Sequence, residues 1–208
     1  MKFARSLLAL TLFLLLPTSF AHGGEPAPLV QDGDIIFHTS RSSQSIAVQR
    51  ATGSRYSHMG IILFRNGSPM VYEAVRTVRS TPLQKWIARG EGGHYVVKRL
   101  VNAEQTLNAE ALARLRRTAG TFEGKPYDLT FEWSDDRIYC SELVWKIYER
   151  ALDIHIGALQ RLRDFRLDDP AVRSKMKERY GNAVPLNEPV ISPASMFNAS
   201  NLTVVLQQ

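Results

Sequence analysis

Apolar and polar positions follow different rhythms in the two halves of the chain. In the first half, short runs of β-branched, aromatic and aliphatic residues stand between turn residues. Asp34-Ile35-Ile36-Phe37-His38-Thr39 reads as a strand, and Ser42 to Ala51 as a short helix with Ser42 or Ser43 as its N-cap. Ser57 to Phe64 and Met70 to Val75 then flank Asn66-Gly67, a pair favoured in two-residue hairpin turns. Thr81-Pro82-Leu83-Gln84 has the form of a capping box opening a helix through Trp86 and Ile87, and residues 94–100 return as a strand.

The second half turns helical. Leu107, Ala111, Leu112 and Leu115 recur near a helical period within a helix predicted over 102–121, which Gly124-Lys125-Pro126 stops. A helix from about Tyr139 to Leu152 follows Ser134-Asp135-Asp136, whose carboxylates suit the positive end of a helix dipole. Further helices are predicted near 157–165 and 170–180, then a proline-bearing loop and a turn of helix after Ser192-Pro193. Strands early and helices late predict an α+β fold rather than a doubly wound sheet.

The first residues break this pattern. Lys2 and Arg5 precede the uncharged run Leu7 to Leu16, and Ser19 and Ala21 supply small residues at the spacing of a signal-peptidase site. Residues 1–21 read as a cleaved signal peptide, with no cysteine after the run for lipid attachment. The expected location is periplasmic. The remaining 22–208 suit a single domain, and no later apolar run approaches the roughly 18 residues a transmembrane helix needs. Its 24 basic and 20 acidic residues leave a charge of +4, with no dense basic tract interleaved with aromatics, so nucleic acid is not an expected partner.

Export changes the meaning of the single cysteine, Cys140. In an oxidising compartment a lone thiol is either buried or used. Cys140 opens the helix beginning at Tyr139, where unpaired backbone N–H groups and the dipole stabilise a thiolate and can hold an oxyanion. It also shares a helical face with Val144, Ile147 and Ala151, so a buried small hydrophobe is an equally open reading.

A nucleophilic thiol needs a base. His22 falls in a loose N-terminus, His94 at a strand start and His155 at a helix exit, while His38 shares a strand face with Ile36 and reads as structural. No HExxH, His-x-His or Cys/His spacing marks a metal site. His58 opens an apolar strand, with Gly60 permitting close backbone approach. A tight Asn66-Gly67 turn pairs residues 65 and 68, which sets Glu73 opposite residue 60 and within diagonal reach of His58. Glu73 is then either the acid that orients the imidazole or a solvated edge residue.

Together, Gly33-Asp34-Ile35-Ile36, Ser57-His58-Met59-Gly60-Ile61, Tyr72-Glu73-Ala74 and Tyr139-Cys140-Ser141-Glu142-Leu143 resemble the permuted papain-like enzymes of the NlpC superfamily, most closely the YiiX-type exported proteins. The likeness extends over about residues 32–196 and includes Ser40-Arg41-Ser42-Ser43-Gln44-Ser45, Gly124-Lys125-Pro126-Tyr127-Asp128 and Trp133-Ser134-Asp135-Asp136. It implies a circularly permuted papain-like fold, with the cysteine helix packed on an antiparallel sheet. The roles it implies are nucleophile for Cys140, base for His58 and orienting acid for Glu73, with Tyr127 and Tyr139 lining the site.

The expected activity is a cofactor-free cysteine hydrolase that cleaves an amide through a thioester. A peptidoglycan fragment, peptide or lipid-linked amide is the expected substrate. Two alternatives stand beside it: a lipid acyl hydrolase or acyltransferase of the lecithin-retinol-acyltransferase-like kind, and a catalytically silent envelope-binding protein. Residues 153–190 are expected to form a helical extension over part of the cleft, with Arg161, Arg163 and Arg166 as candidate anion contacts.

Overall fold

The computed structural model describes residues 30–208, so the signal-peptide reading of residues 1–21 lies outside the described residues. In chain order the elements are β1 (Ile35–Ser40), α1 (Ser43–Thr52), β2 (His58–Arg65), β3 (Ser68–Ala74), β4 (Val78–Pro82), α2 (Leu83–Ile87) and β5 (Gly90–Leu100). There follow α3 (Ala103–Thr106), α4 (Ala109–Gly120), α5 (Cys140–Leu152), β6 (Gln160–Arg161), α6 (Pro170–Tyr180), β7 (Pro189–Val190), α7 (Pro193–Phe197) and β8 (Leu202–Gln207). Among the described residues, no helix is long and apolar enough to cross a membrane.

Six strands form one antiparallel sheet in the order β4-β3-β2-β1-β5-β8. Asn66 (φ 51°) and Gly67 (φ 76°) close the central hairpin, and Arg65 pairs with Ser68 as the turn requires. Alternation then sorts the side chains. Ile35, Phe37, Met59, Ile61, Tyr72 and Ala74 join the main core with Leu143, Val144 and Ile147 of α5, while Ile36, Ile62 and Val71 pack with Trp86 of α2 in a second cluster.

Several local expectations are corrected. The helix predicted over 102–121 is two helices, because the Asn108 side chain accepts from Ala111 N–H at 3.0 Å and starts α4 afresh. Thr81 does not cap α2: it belongs to β4, and its hydroxyl donates to Glu73 at 2.6 Å. Asp135 sits not at the α5 dipole but along the helix, paired with Arg150 at 2.7 Å and Lys146 at 3.0 Å. The helix expected near 157–165 is absent. Its residues form β6 and a single 3₁₀ turn, Leu162–Asp164, because pairing with β7 overrides local helix propensity.

Candidate active site

Two separate pieces of chain meet at one end of the sheet. His58 is the first residue of β2, and Glu73 the penultimate residue of β3. Gly60 makes their approach possible. A Cβ there would lie 2.5 Å from Val71 Cγ1 and 2.8 Å from the Tyr72 carbonyl oxygen, so any side chain would force β3 away. With the strands that close, Glu73 Oε2 lies 2.7 Å from His58 Nε2. Glu73 Oε1 accepts from the Thr81 hydroxyl and from the Arg89 guanidinium. Both carboxylate oxygens are engaged, and the carboxylate is fully buried.

Glu73 occupies Nε2 and leaves Nδ1 of His58 free to face the thiol of Cys140, whose influence on the imidazole is felt in its raised pKa. Cys140 is the first residue of α5 and is buried. Glu142 closes the helix start by accepting from Tyr139 N–H at 3.4 Å, and the Tyr139 hydroxyl accepts from Ile191 N–H at 3.1 Å. The first N–H groups of a helix have no partner within it, so Cys140 N–H is available beside its own sulfur.

Electrostatics follow from this packing. Burial alone would push the His58 imidazole down. Hydrogen bonds to Cys140 and Glu73, reinforced by their charges, overcome it and raise the pKa to about 9. Burial would likewise raise Glu73, but His58, Thr81 and Arg89 together bring it down to about 2. The pair is an imidazolium against a carboxylate at neutral pH.

Tyr127 is brought to the site by backbone bridges. It pairs with Ile138, two residues before Cys140, and its N–H donates to the Arg76 carbonyl at 3.1 Å. The intervening loop bulges out between the two, with Phe131 turned back against the Tyr139 ring. The Tyr127 hydroxyl accepts from Gln44 Nε2 at 2.9 Å. Burial, then the nearby Cys140 charge, pushes its pKa upward, so it stays protonated.

The cleft divides at this point. On the Cys140 side lies an apolar hollow of roughly 690 Å³, open to solvent, walled by α1, by Phe131 and by Leu162, Phe165, Val172 and Met176. Residues from 153–190 therefore cover one side of the cleft. The arginines expected to contact anions do not line it; Lys175 and Arg179 do. Arg161 donates to the Asn187 carbonyl at 2.6 Å, Arg163 is exposed, and Arg166 lies in a different groove with Arg50 and Arg55. On the His58 side lies a polar pocket with His38, Ser40, Ser42, Ser57 and Arg89. Gln44, Ser57 and Tyr127 belong to both.

Three residues here carry more than the sequence indicated. His38, read as structural, stacks on Trp86 with ring centres 3.9 Å apart and lies 5.3 Å from the His58 ring. Burial, then the positive charges of His58 and Arg89, brings its pKa down to about 3, so it is neutral. Gln44 belongs to a motif of the family resemblance but had no role from its residue type. Arg89 gave no signal at all. His94 lies in β5 and the exposed His155 stacks on Trp145, both outside the site.

Comparison with known proteins bears on the family and the fold. The profile of a family described as permuted papain-like amidase enzymes, YaeF/YiiX, C92 family, matches residues 29–206. An uncharacterised protein, YiiX of Escherichia coli strain K12, is 52% identical over 178 residues, covering 86% of this chain and 87% of its own. A crystal structure described as metalloprotein yiiX, from Escherichia coli O157:H7, superposes with a TM-score of 0.82 at 52% identity, covering 86% of this chain and 97% of that one.

Proposed function

The chain belongs to the permuted papain-like amidases of the YaeF/YiiX, C92 family, and on that premise we propose that it hydrolyses amides through Cys140, His58 and Glu73. The observation that carries this reading is the relay itself: a buried carboxylate 2.7 Å from one imidazole nitrogen, with a helix-start thiol close enough to the same ring to help hold it protonated. The Cys140 thiolate attacks the acyl carbon, and the carbonyl π pair moves to oxygen. Cys140 N–H and the Tyr127 O–H donate to that oxyanion. The C–N bond then breaks as His58 Nδ1–H protonates the departing amine. In the second half His58 removes a proton from water, whose oxygen displaces sulfur and returns the thiolate. Glu73 holds the ring orientation and balances the imidazolium.

The sulfur touches the apolar hollow, so the acyl group of the substrate belongs there. This supports an amide with an extended apolar acyl portion, a lipid-linked amide or a peptide bearing large apolar residues, over a charged peptidoglycan stem. The same hollow favours a second reading, lipid acyl transfer, in which an alcohol or amine replaces water at the thioester. We further propose that residues 1–21 direct export and that substrate is met in the periplasm.

The yiiX crystal structure is described as a metalloprotein. Among the described residues of this chain, no three His, Cys, Asp or Glu side chains converge as a metal-ligand set, and the steps above pass through the chain's own groups. The test is mass spectrometry of lipid extracts and purified peptidoglycan incubated with the wild type and with Cys140→Ala. New carboxylate and amine products from wild type alone support an amidase, and acyl chains on new acceptors support the transferase. Equal products from both proteins would sink the cysteine mechanism. In that assay Cys140→Ser should lose turnover by roughly 10⁴-fold or more, with little change in thermal unfolding because the side chains are nearly isosteric.

A further inference from the structure

We propose that the polar pocket beside His58 binds an anionic group carried on the amine side of the scissile bond, and that Arg89 reads it. The inference rests on the amidase reading, because the reaction assigns the two halves of the cleft. Attack occurs at sulfur, so the acyl group lies in the hollow that contains Cys140. The leaving nitrogen must face the proton on His58, so whatever that nitrogen carries lies in the pocket that contains His58, Ser40, Ser42, Ser45, Ser57 and Arg89.

Arg89 is built to hold a charge there. Its backbone N–H donates to the Trp86 carbonyl at 3.2 Å, which ties it to the end of α2. One terminal nitrogen donates to Glu73 Oε1, which holds the guanidinium in place, yet the side chain keeps 38% of its surface exposed. Its Nε is buried and has no hydrogen-bond partner among the described residues. A guanidinium has five N–H donors in a planar fork. Here Glu73 is the one side-chain acceptor they meet among the described residues, and Glu73 already serves His58 and Thr81.

Arg89 and the His58 imidazolium are the cations that line this pocket. The rest of the pocket is hydroxyls, the Gln44 amide, Val75 and a neutral His38, and no carboxylate lines it among the described residues. A carboxylate or phosphate matches a guanidinium fork with hydroxyl neighbours. The substrate class is therefore an N-acyl amino acid or an N-acyl amino-alcohol phosphate: apolar on the acyl side and anionic on the amine side.

The alternative is that Arg89 only steadies Glu73, and a ratio separates the two. Hydrolysis of N-dodecanoylglycine, N-dodecanoylglycinamide and N-dodecanoylethanolamine phosphate is compared in wild type, Arg89→Gln and Arg89→Lys. Loss of Glu73 support lowers all three substrates alike. Loss of an anion contact lowers only the charged ones. Wild type should prefer at least one anionic substrate over the neutral amide by about tenfold or more in kcat/KM. Arg89→Gln should bring that ratio near one, and Arg89→Lys should restore part of it. Which anion is preferred separates the carboxylate from the phosphate source.

A second measurement does not need turnover: inorganic phosphate, at matched ionic strength, should slow alkylation of Cys140 by iodoacetamide in wild type and not in Arg89→Gln. Arg89-dependent protection without hydrolysis of any substrate would keep the anion pocket and refute the amidase reading. Cysteine-dependent hydrolysis with equal ratios in wild type and Arg89→Gln, and no protection, would overturn the anion pocket alone.

Discussion

The two walls of the cleft are held by different forces. On the sheet side, His58, Glu73, Thr81 and Arg89 form a chain of charged hydrogen bonds in which the buried carboxylate meets three donors. On the helical side, Phe165, Val172 and Met176 face Ala47 and Ala51 of α1 across open space. A buried charge network tolerates almost no displacement, since an unpaired member bears the whole desolvation cost. An apolar wall tolerates shape change as long as volume is roughly conserved. The chemistry is thus assigned to the rigid wall, and the choice of acyl group to the adaptable one.

Three substitutions or conditions test that division, each with a smaller effect than the one before. Glu73→Gln attacks the rigid wall at its centre. It keeps the shape but removes the charge that supports the imidazolium, and turnover should fall by as much as roughly 10⁴-fold, less if the thiolate is already formed. Thr81 and Arg89 would also lose their anionic acceptor, so stability should drop by about 1–3 kcal/mol. Turnover assays with urea unfolding check both, and a variant neutral in each would leave Glu73 a spectator.

Ala51→Phe narrows the adaptable wall. The efficiency of hydrolysis should fall about tenfold more for a long acyl chain than for an acetyl group, in line with the burial energy of a few methylenes. A series of substrates of increasing chain length reads this directly. An equal loss across the series would mean that the hollow does not receive the acyl chain.

The smallest effect is on stability against pH. His58 rises from 6.5 to about 9 on folding, so its contribution is complete below 6.5 and is lost as pH climbs through about 9. Glu73 falls from 4.5 to about 2, so its contribution is present above 4.5 and is lost as pH drops through about 2. These two groups therefore give a plateau between 4.5 and 6.5 with a decline on the alkaline side. In Cys140→Ala the imidazole loses one of its two supports, so the decline should be smaller and should end at lower pH. NMR titration of His58 checks the shift, and an unchanged His58 pKa in that variant would remove the thiol from the relay.

How much of this was legible in the chain depended on how local the signal was. The Asn66-Gly67 turn set a register, and period-two geometry then carried Glu73 toward His58 without knowledge of the rest. Cys140 at a helix start was equally local. Thr81 was misread because Thr-Pro-x-Gln has the form of a helix cap. In the fold β4 extends through Pro82, and the Glu73–Arg79 pairing sets Thr81 beside the carboxylate. Arg89 and His38 were illegible for a further reason: their roles depend on where α2 lies against the sheet, through Trp86 packed with Ile36, Ile62 and Val71. No pattern in residues 83–89 specifies that docking. The segment 157–165 failed in the opposite sense, since its helix-forming residues were drawn into pairing with a strand about thirty residues further on.

The outermost strand also sets the timetable of biosynthesis. β8 closes the sheet by pairing Val97 with Leu206 and Leu100 with Leu202, across more than half of the described chain. Until residues 202–207 have left the ribosome, β5 presents an open row of N–H and C=O groups, the kind of edge that recruits foreign strands. Contacts of such sequence separation also slow folding, because the loop must close before the pairing rewards it. Nascent chains that stall before residue 202 thus hold every residue of the Cys140 relay and still expose the outer edge of β5 at residues 96–100, which the pairing of residues 202–207 covers.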